Sequence, residues 1–172
     1  NKKILRYNDT RRFGAMIWTD DNPSNHKLIA TLGPEPLSDE FNADYLFEIV
    51  KRKKQPIKST IMDSRSVVGV GNIYASESLF LASIRPQRRS QKIKKKEISI
   101  LVDCIKMVIQ KAIERGGSTL NDFFSVNGQS GYFQNEHNVY GRENESCNRC
   151  DGTIYQLRIA QRSSFYCKRC QV

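Results

Sequence analysis

The chain has 172 residues, with 28 Lys or Arg against 18 Asp or Glu, and so a formal net charge of +10. That length accommodates one domain or two small ones, and the charge points to an anionic partner such as nucleic acid. No run of about 18 apolar residues occurs, which excludes a membrane-spanning helix; no membrane partner is expected, and aromatic residues at 9% are too many for a disordered chain.

Residues 4–7 and 14–19 read as two strands around a polar turn, Asn8-Asp9-Thr10-Arg11-Arg12. An opening directly into a strand, with neither an initiator Met nor an apolar leader, reads as the middle of a domain. Residues 20–25 and Gly33-Pro34-Glu35-Pro36 are breaks by composition. From Asn42 onward Leu46, Ile49, Val50 and Lys53 follow helical spacing, with Asn42 or Asp44 as the cap, and a short helix is expected around residues 57–62. Gly69 and Gly71 then precede a helical run over residues 73–82. Such a turn leaves the backbone N–H groups of the next helix exposed at its N-terminus, where an anion can bind. The longest helix covers residues 94–115. Its apolar stripe is Ile98, Leu101, Val102, Ile105, Val108, Ile109 and Ala112, and Gly116-Gly117 ends it. The Lys92, Lys94, Lys95 and Lys96 cluster reads as a solvated helix start. Residues 116–134 form a long loop bearing Phe123, Phe124, Tyr132 and Phe133. Strands are expected at residues 153–158 and 164–166.

Four of five cysteines pair as Cys147-Asn148-Arg149-Cys150 and Cys167-Lys168-Arg169-Cys170, with sixteen residues between the pairs. Two such knuckles close a tetrahedron of thiolates around one structural Zn²⁺, with no position left open for water. Two disulfides are the rival arrangement. The absent secretory leader and the odd fifth cysteine, Cys104, count against it. Asp151 takes a knuckle position where Gly is common, and Asp tolerates positive φ. Arg149, Arg158, Arg162, Lys168 and Arg169 surround the knuckles, and part of that charge offsets the negative metal–thiolate centre.

Several stretches carry a family resemblance. Val68-Gly69-Val70-Gly71-Asn72-Ile73-Tyr74-Ala75-Ser76-Glu77 resembles the helix–two-turns–helix signature of the bacterial formamidopyrimidine-DNA glycosylases. Gly116-Gly117-Ser118-Thr119-Leu120-Asn121-Asp122-Phe123 and Gly131-Tyr132-Phe133-Gln134 resemble that family's lesion-capping loop. Val139-Tyr140-Gly141-Arg142 precedes the first knuckle as it does there, and Ala160-Gln161-Arg162-Ser163-Ser164-Phe165-Tyr166-Cys167 resembles the zinc-finger hairpin. Asp9-Thr10-Arg11-Arg12-Phe13-Gly14 and Leu32-Gly33-Pro34-Glu35-Pro36-Leu37 extend the match to nearly the whole chain. The related endonuclease VIII branch fits the stretches at 131–134 and 139–142 less well.

The resemblance implies an α+β fold: residues 1–37 as the end of an N-terminal β-sandwich, residues 38–140 as the helix–two-turns–helix domain, and residues 141–172 as a zinc-ribbon hairpin. It implies base-excision repair, with removal of oxidised purines such as 8-oxoguanine through a Schiff base and β,δ-elimination. The partner is duplex DNA with an oxidised purine or abasic site, met by a monomer in the bacterial cytoplasm at the nucleoid. The family's nucleophile is an N-terminal proline, assisted by a glutamate and a lysine. Residue 1 here is Asn, no catalytic residue is assigned, and the chain alone is expected to be inactive. Residue by residue, Asn72 and Arg162 match phosphate ligands, and Lys58 and Tyr140 match residues near the sugar–phosphate track. Arg11 and Phe13 match residues that fill the gap left by the extruded base, and Glu77 matches an acidic residue of the helix–two-turns–helix element. A non-catalytic zinc-ribbon DNA binder or lesion sensor is the alternative function.

Overall fold

A computed structural model describes residues 4–9, 12–117 and 137–172. The chain divides into two compact units, residues 1–31 and 32–172. Among the described residues no helix is long and apolar enough to cross a membrane.

In the first unit the two expected strands are not formed. Residues 4–7 and 14–19 make no ladder, and Ile4, Leu5 and Trp18 are 78%, 82% and 90% exposed. Strand propensity expresses itself only against a partner strand and a packed face, and neither is present among the described residues of this unit. Local order comes from Asp9, whose carboxylate accepts the backbone N–H of Arg12 at 3.0 Å and of Gly14 at 2.6 Å. A single 3₁₀ turn, Pro23–Asn25, is capped by Asn22.

The described residues of the second unit form four α-helices, a 3₁₀ turn at Ser90–Lys92 and a hairpin. Helix α1 (Ala43–Val50) starts at Asn42, whose side chain accepts the Tyr45 N–H, one of the orphan donors of the first turn. Helix α2 (Ile57–Ile61) is too short to persist alone. It is pinned to the chain that follows α3: the Ile57 N–H reaches Arg88 O, and Thr60 Oγ1 and Ser90 Oγ lie 2.7 Å apart. Helix α3 (Asn72–Leu81) is buried at six consecutive residues, 75–80, so it is enclosed rather than amphipathic. Helix α4 (Lys95–Glu114) buries the whole expected stripe together with Cys104. At its start Glu97 accepts the Lys94 N–H and pairs with Arg88, which places negative charge where the lysine cluster would oppose the helix dipole. At its end Gly116 and Gly117 adopt φ of 71° and 90°, and their N–H groups bond Ile113 O and Ala112 O. This Schellman closure needs left-handed residues, which is why the paired glycines stop the helix there.

Strands β1 (Ile154–Ile159) and β2 (Arg162–Cys167) pair antiparallel with Ile154 opposite Cys167 and Ile159 opposite Arg162. The two-residue turn between them, Ala160-Gln161, has φ of 46° and 61°. Both residues therefore occupy the left-handed region that two-residue hairpins of this twist require, without the usual Asn-Gly.

Besides a small cluster of Val108 and Ala112, two large apolar clusters result among the described residues. One joins α1, α2, α3 and α4 around Phe41, Leu46, Ile57, Leu79, Leu101 and Ile105. The other sits under the hairpin around Phe80, Val139, Ile154 and Phe165. Adjacent residues of α3, Leu79 and Phe80, enter different clusters, so this helix is the shared wall. Ile105→Ala, at a fully buried site, is expected to cost about 2–5 kcal/mol of stability in urea denaturation.

Candidate metal centre and nucleic-acid interface

The sulfurs of Cys147, Cys150, Cys167 and Cys170 lie within 4.8 Å of one another. Cys147 and Cys170 are 3.8 Å apart, and Cys150 and Cys167 are 3.5 Å apart. Tetrahedral Zn–S bonds of about 2.3 Å put sulfurs about 3.8 Å apart, so the donor set fits zinc. Burial and the neighbouring sulfurs push the Cys170 thiol upward. A cation at the centre is what lets four crowded thiols ionise together. Zinc held by four protein thiolates is structural. Asp151 has φ 53°, the conformation expected of it, and its N–H bonds Cys147 O to close the first knuckle.

The ribbon is bolted to the helical unit by residues that sequence reasoning did not single out for this task. Arg149, within the first knuckle, donates to Phe80 O, Leu81 O and Ser83 Oγ, all at 3.2 Å, and stacks 4.6 Å from the Phe80 ring. A guanidinium at a helix C-terminus satisfies orphan carbonyls and complements the dipole. This arginine therefore caps α3 instead of merely offsetting the metal centre. Gln171 accepts the Cys167 N–H and donates to Ile84 O, while Arg85 reaches Gln171 O and Lys168 O. Only the fold could reveal these partners, because each pair is more than 65 residues apart in sequence, except Gln171 with Cys167.

Glu77 is 1% exposed on α3. Its carboxylate accepts four N–H donors at 2.8–2.9 Å: the Asn138 backbone and side chain on Oε2, and the Val139 and Tyr140 backbones on Oε1. A buried charge is tolerated only when so satisfied. The consequence is that the 138–140 segment is held against α3. Tyr140 then packs edge-on against His137 and Phe165. Its hydroxyl receives Asn72 Nδ2 at 3.3 Å.

Asn72 is the first residue of α3, and no side chain caps that end, the preceding N-cap being Gly71. Its Oδ1 is buried with no hydrogen-bond partner among the described residues. Across the unit, Arg162 stands exposed at the hairpin tip. Beneath it Lys58 of α2 is 1% exposed, donating from Nζ to Ser163 O at 3.0 Å and Ser164 Oγ at 2.8 Å. Burial, then the Arg162 guanidinium, push Lys58 down to about 7. Lys58, Asp63, Ile159, Ala160 and Arg162 line a cleft of about 200 Å³.

The sequence-predicted residues thus fall into groups. Asn72, Tyr140 and Glu77 are linked through hydrogen bonds, and Lys58 and Arg162 share the cleft. Phe13 is 84% exposed in the first unit. Arg11 and residues 118–134 of the expected capping loop lie outside the described residues.

Glu77→Ala strips the acceptor from four N–H groups and is expected to cost about 3 kcal/mol or more. The loss would appear in thermal melting and as faster amide exchange at Val139 and Tyr140. Zinc removal by a chelator is expected to melt the hairpin with α4 retained, read by amide exchange at 154–167 against 98–112.

Residues 32–124 match the formamidopyrimidine-DNA glycosylase H2TH domain, and residues 144–172 match the zinc finger found in FPG and IleRS. Among curated relatives, the formamidopyrimidine-DNA glycosylase of Neisseria meningitidis is 49% identical over 168 residues, covering 98% of this chain and 61% of its own length. That of a Marinomonas strain is 53% identical over 167 residues, covering 97% and 61%. The chain spans about three fifths of the length of the curated relatives it matches. The crystal structure of the Thermus thermophilus MutM (Fpg) protein superposes with a TM-score of 0.88 at 37% identity, covering 95% of this chain and 62% of that one. The Lactococcus lactis Fpg in complex with abasic-site DNA gives 0.77 at 35% identity, covering 84% and 53%. With the first of these domain matches spanning more than half of its residues, the chain belongs to the formamidopyrimidine-DNA glycosylase family.

Proposed function

We propose that this chain supplies the DNA grip of a base-excision repair enzyme, a glycosylase and abasic-site lyase acting on oxidised purines in duplex DNA in the bacterial cytoplasm. The observation that carries the reading is one framework bearing two anion-ready groups: the uncapped start of α3 with Asn72, and Arg162 on a hairpin whose β2 packs against that same helix. An enzyme that works on a base inside a duplex must extrude it, and holding the strand by its phosphates on both sides of the extruded nucleotide is the physical prerequisite.

In this reading the N–H groups at the start of α3 and the Asn72 amide take one phosphate. The Tyr140 hydroxyl accepts from Asn72 Nδ2 and so holds that side chain beside the open first turn. Arg162 takes a second phosphate through its planar fork, with Lys58 behind it. Glu77 acts through the 138–140 segment to keep Tyr140 and Asn72 together. Arg11 and Phe13 would fill the gap left by the extruded base, Arg11 against the orphaned cytosine and Phe13 as a wedge. Residues 1–37 would close an N-terminal β-sandwich, residues 38–140 carry the helical grip, and residues 141–172 carry the zinc finger. The Schiff-base chemistry and β,δ-elimination fall to an N-terminal proline that has no counterpart in these residues.

The test is equilibrium binding of the chain to a duplex bearing a tetrahydrofuran abasic analogue, across a salt series. We expect steep salt dependence, and Arg162→Ala to weaken binding to damaged and undamaged duplex alike while reducing the salt slope by about 1. Borohydride treatment with 8-oxoguanine duplex is expected to leave no covalent adduct. Salt-independent binding, or an adduct on this chain, contradicts the division between grip and chemistry.

A further inference from the structure

Lys58 is an unusual ammonium. It is enclosed beneath the hairpin, and its polar partners among the described residues are two neutral oxygens, Ser163 O and Ser164 Oγ. Three N–H donors of an ammonium meet two acceptors. The charged groups around it do not compensate. The hairpin presents Arg162 across the shared cleft, and Arg158 on β1, opposite Ser163 in the ladder, is exposed. On α3, the carboxylate of Glu77 is taken up by four N–H groups of the 138–140 segment. Asp63 on the cleft wall is paired with Arg65 at 3.2 Å and with Lys53 at 4.0 Å. The cleft therefore holds two cationic side chains and one carboxylate already engaged elsewhere.

Resting on the proposed DNA grip, we infer that Lys58 is a positioning residue for Arg162, and that seating a duplex phosphate on Arg162 is accompanied by uptake of one solvent proton on the Lys58 amine. The step is a protonation alone. The Nζ lone pair takes a proton from the buffer, no covalent bond of the protein breaks, and the phosphate charge offsets the guanidinium that disfavours the ammonium. The free protein holds this amine near half-protonation around neutral pH. The ammonium, once formed, tightens its grip on Ser163 and Ser164, the two residues that follow Arg162, because charge-assisted hydrogen bonds are the stronger ones. Hairpin placement and phosphate binding become linked through a proton.

The sign follows from linkage. DNA binding raises the affinity of Lys58 for a proton, so DNA affinity must fall as pH rises above about 7, by up to tenfold per pH unit until the pKa of the complex is reached. Below about 7 the amine is already charged, and this contribution is flat.

Calorimetric titration of the chain with the abasic-analogue duplex at pH 8, in phosphate and in Tris buffers, reads the proton directly from the dependence of heat on buffer ionisation. We expect uptake of most of one proton by the wild type and its loss in Lys58→Met. Lys58→Arg, which stays charged, is expected to bind with a flatter pH profile between 7.5 and 9 than the wild type. If Lys58→Met does not fold, the Lys58 ¹³Cε resonance of the wild type, titrated with and without duplex, reads the same proton as a pKa that rises on binding. Binding with no proton uptake, or uptake unchanged in Lys58→Met, overturns this inference alone. Failure to bind duplex at all overturns the DNA grip and this inference with it.

Discussion

A carboxylate that cannot reach water must find its hydrogen bonds in the protein, and Glu77 finds four in one short segment. That requirement draws residues 138–140 onto α3 from more than 60 positions away. It places the Tyr140 ring against Phe165 of the hairpin and the Tyr140 hydroxyl against Asn72. One buried charge thereby organises the first turn of α3 and the approach to the zinc ribbon. Its desolvation cost is tolerable only because every lone-pair direction is used.

Helix α3 carries this arrangement at both ends. Its N-terminus is left open by Gly71, and its C-terminus is closed by Arg149 from within a zinc knuckle. The same helix sends Leu79 into the helical core and Phe80 into the ribbon core. Metal binding and helix packing are therefore parts of one structure. Zinc closes the knuckle that carries Arg149, Arg149 caps α3, and α3 presents Asn72. The hairpin extends from the same knuckles to a tip whose two residues both sit in the left-handed region, beside the exposed Arg162. Holding two non-glycine residues there costs about 1–2 kcal/mol each, which the ladder of β1 and β2 and the packing under it must offset.

How much of this was legible in the residues follows from the range of each interaction. Helix α4 was readable to within a residue at each end because its stripe, from Ile98 to Ala112, and its paired glycine stop are local signals. The metal set was readable because two knuckles of fixed spacing leave little choice. The strands expected at 4–7 and 14–19 are not formed. The apolar run at 14–19 has strand composition, yet a ladder needs a neighbour, and the described residues of that unit provide none. The hairpin turn was unreadable in detail, since Ala160-Gln161 lacks the residues that announce a left-handed pair.

By itself, then, the sequence determined the class of the protein, its zinc ligands, its long helix and the family its motifs resemble, because periodicity, spacing and short motifs are properties of neighbouring residues. The tertiary structure alone decided which groups act together: Glu77 with residues 138–140, Tyr140 with Asn72, Arg149 with the end of α3, and Lys58 with the hairpin behind Arg162. Those pairings join residues 61 to 106 positions apart. Burial and hydrogen-bond satisfaction, which create them, exist only once the chain has closed on itself.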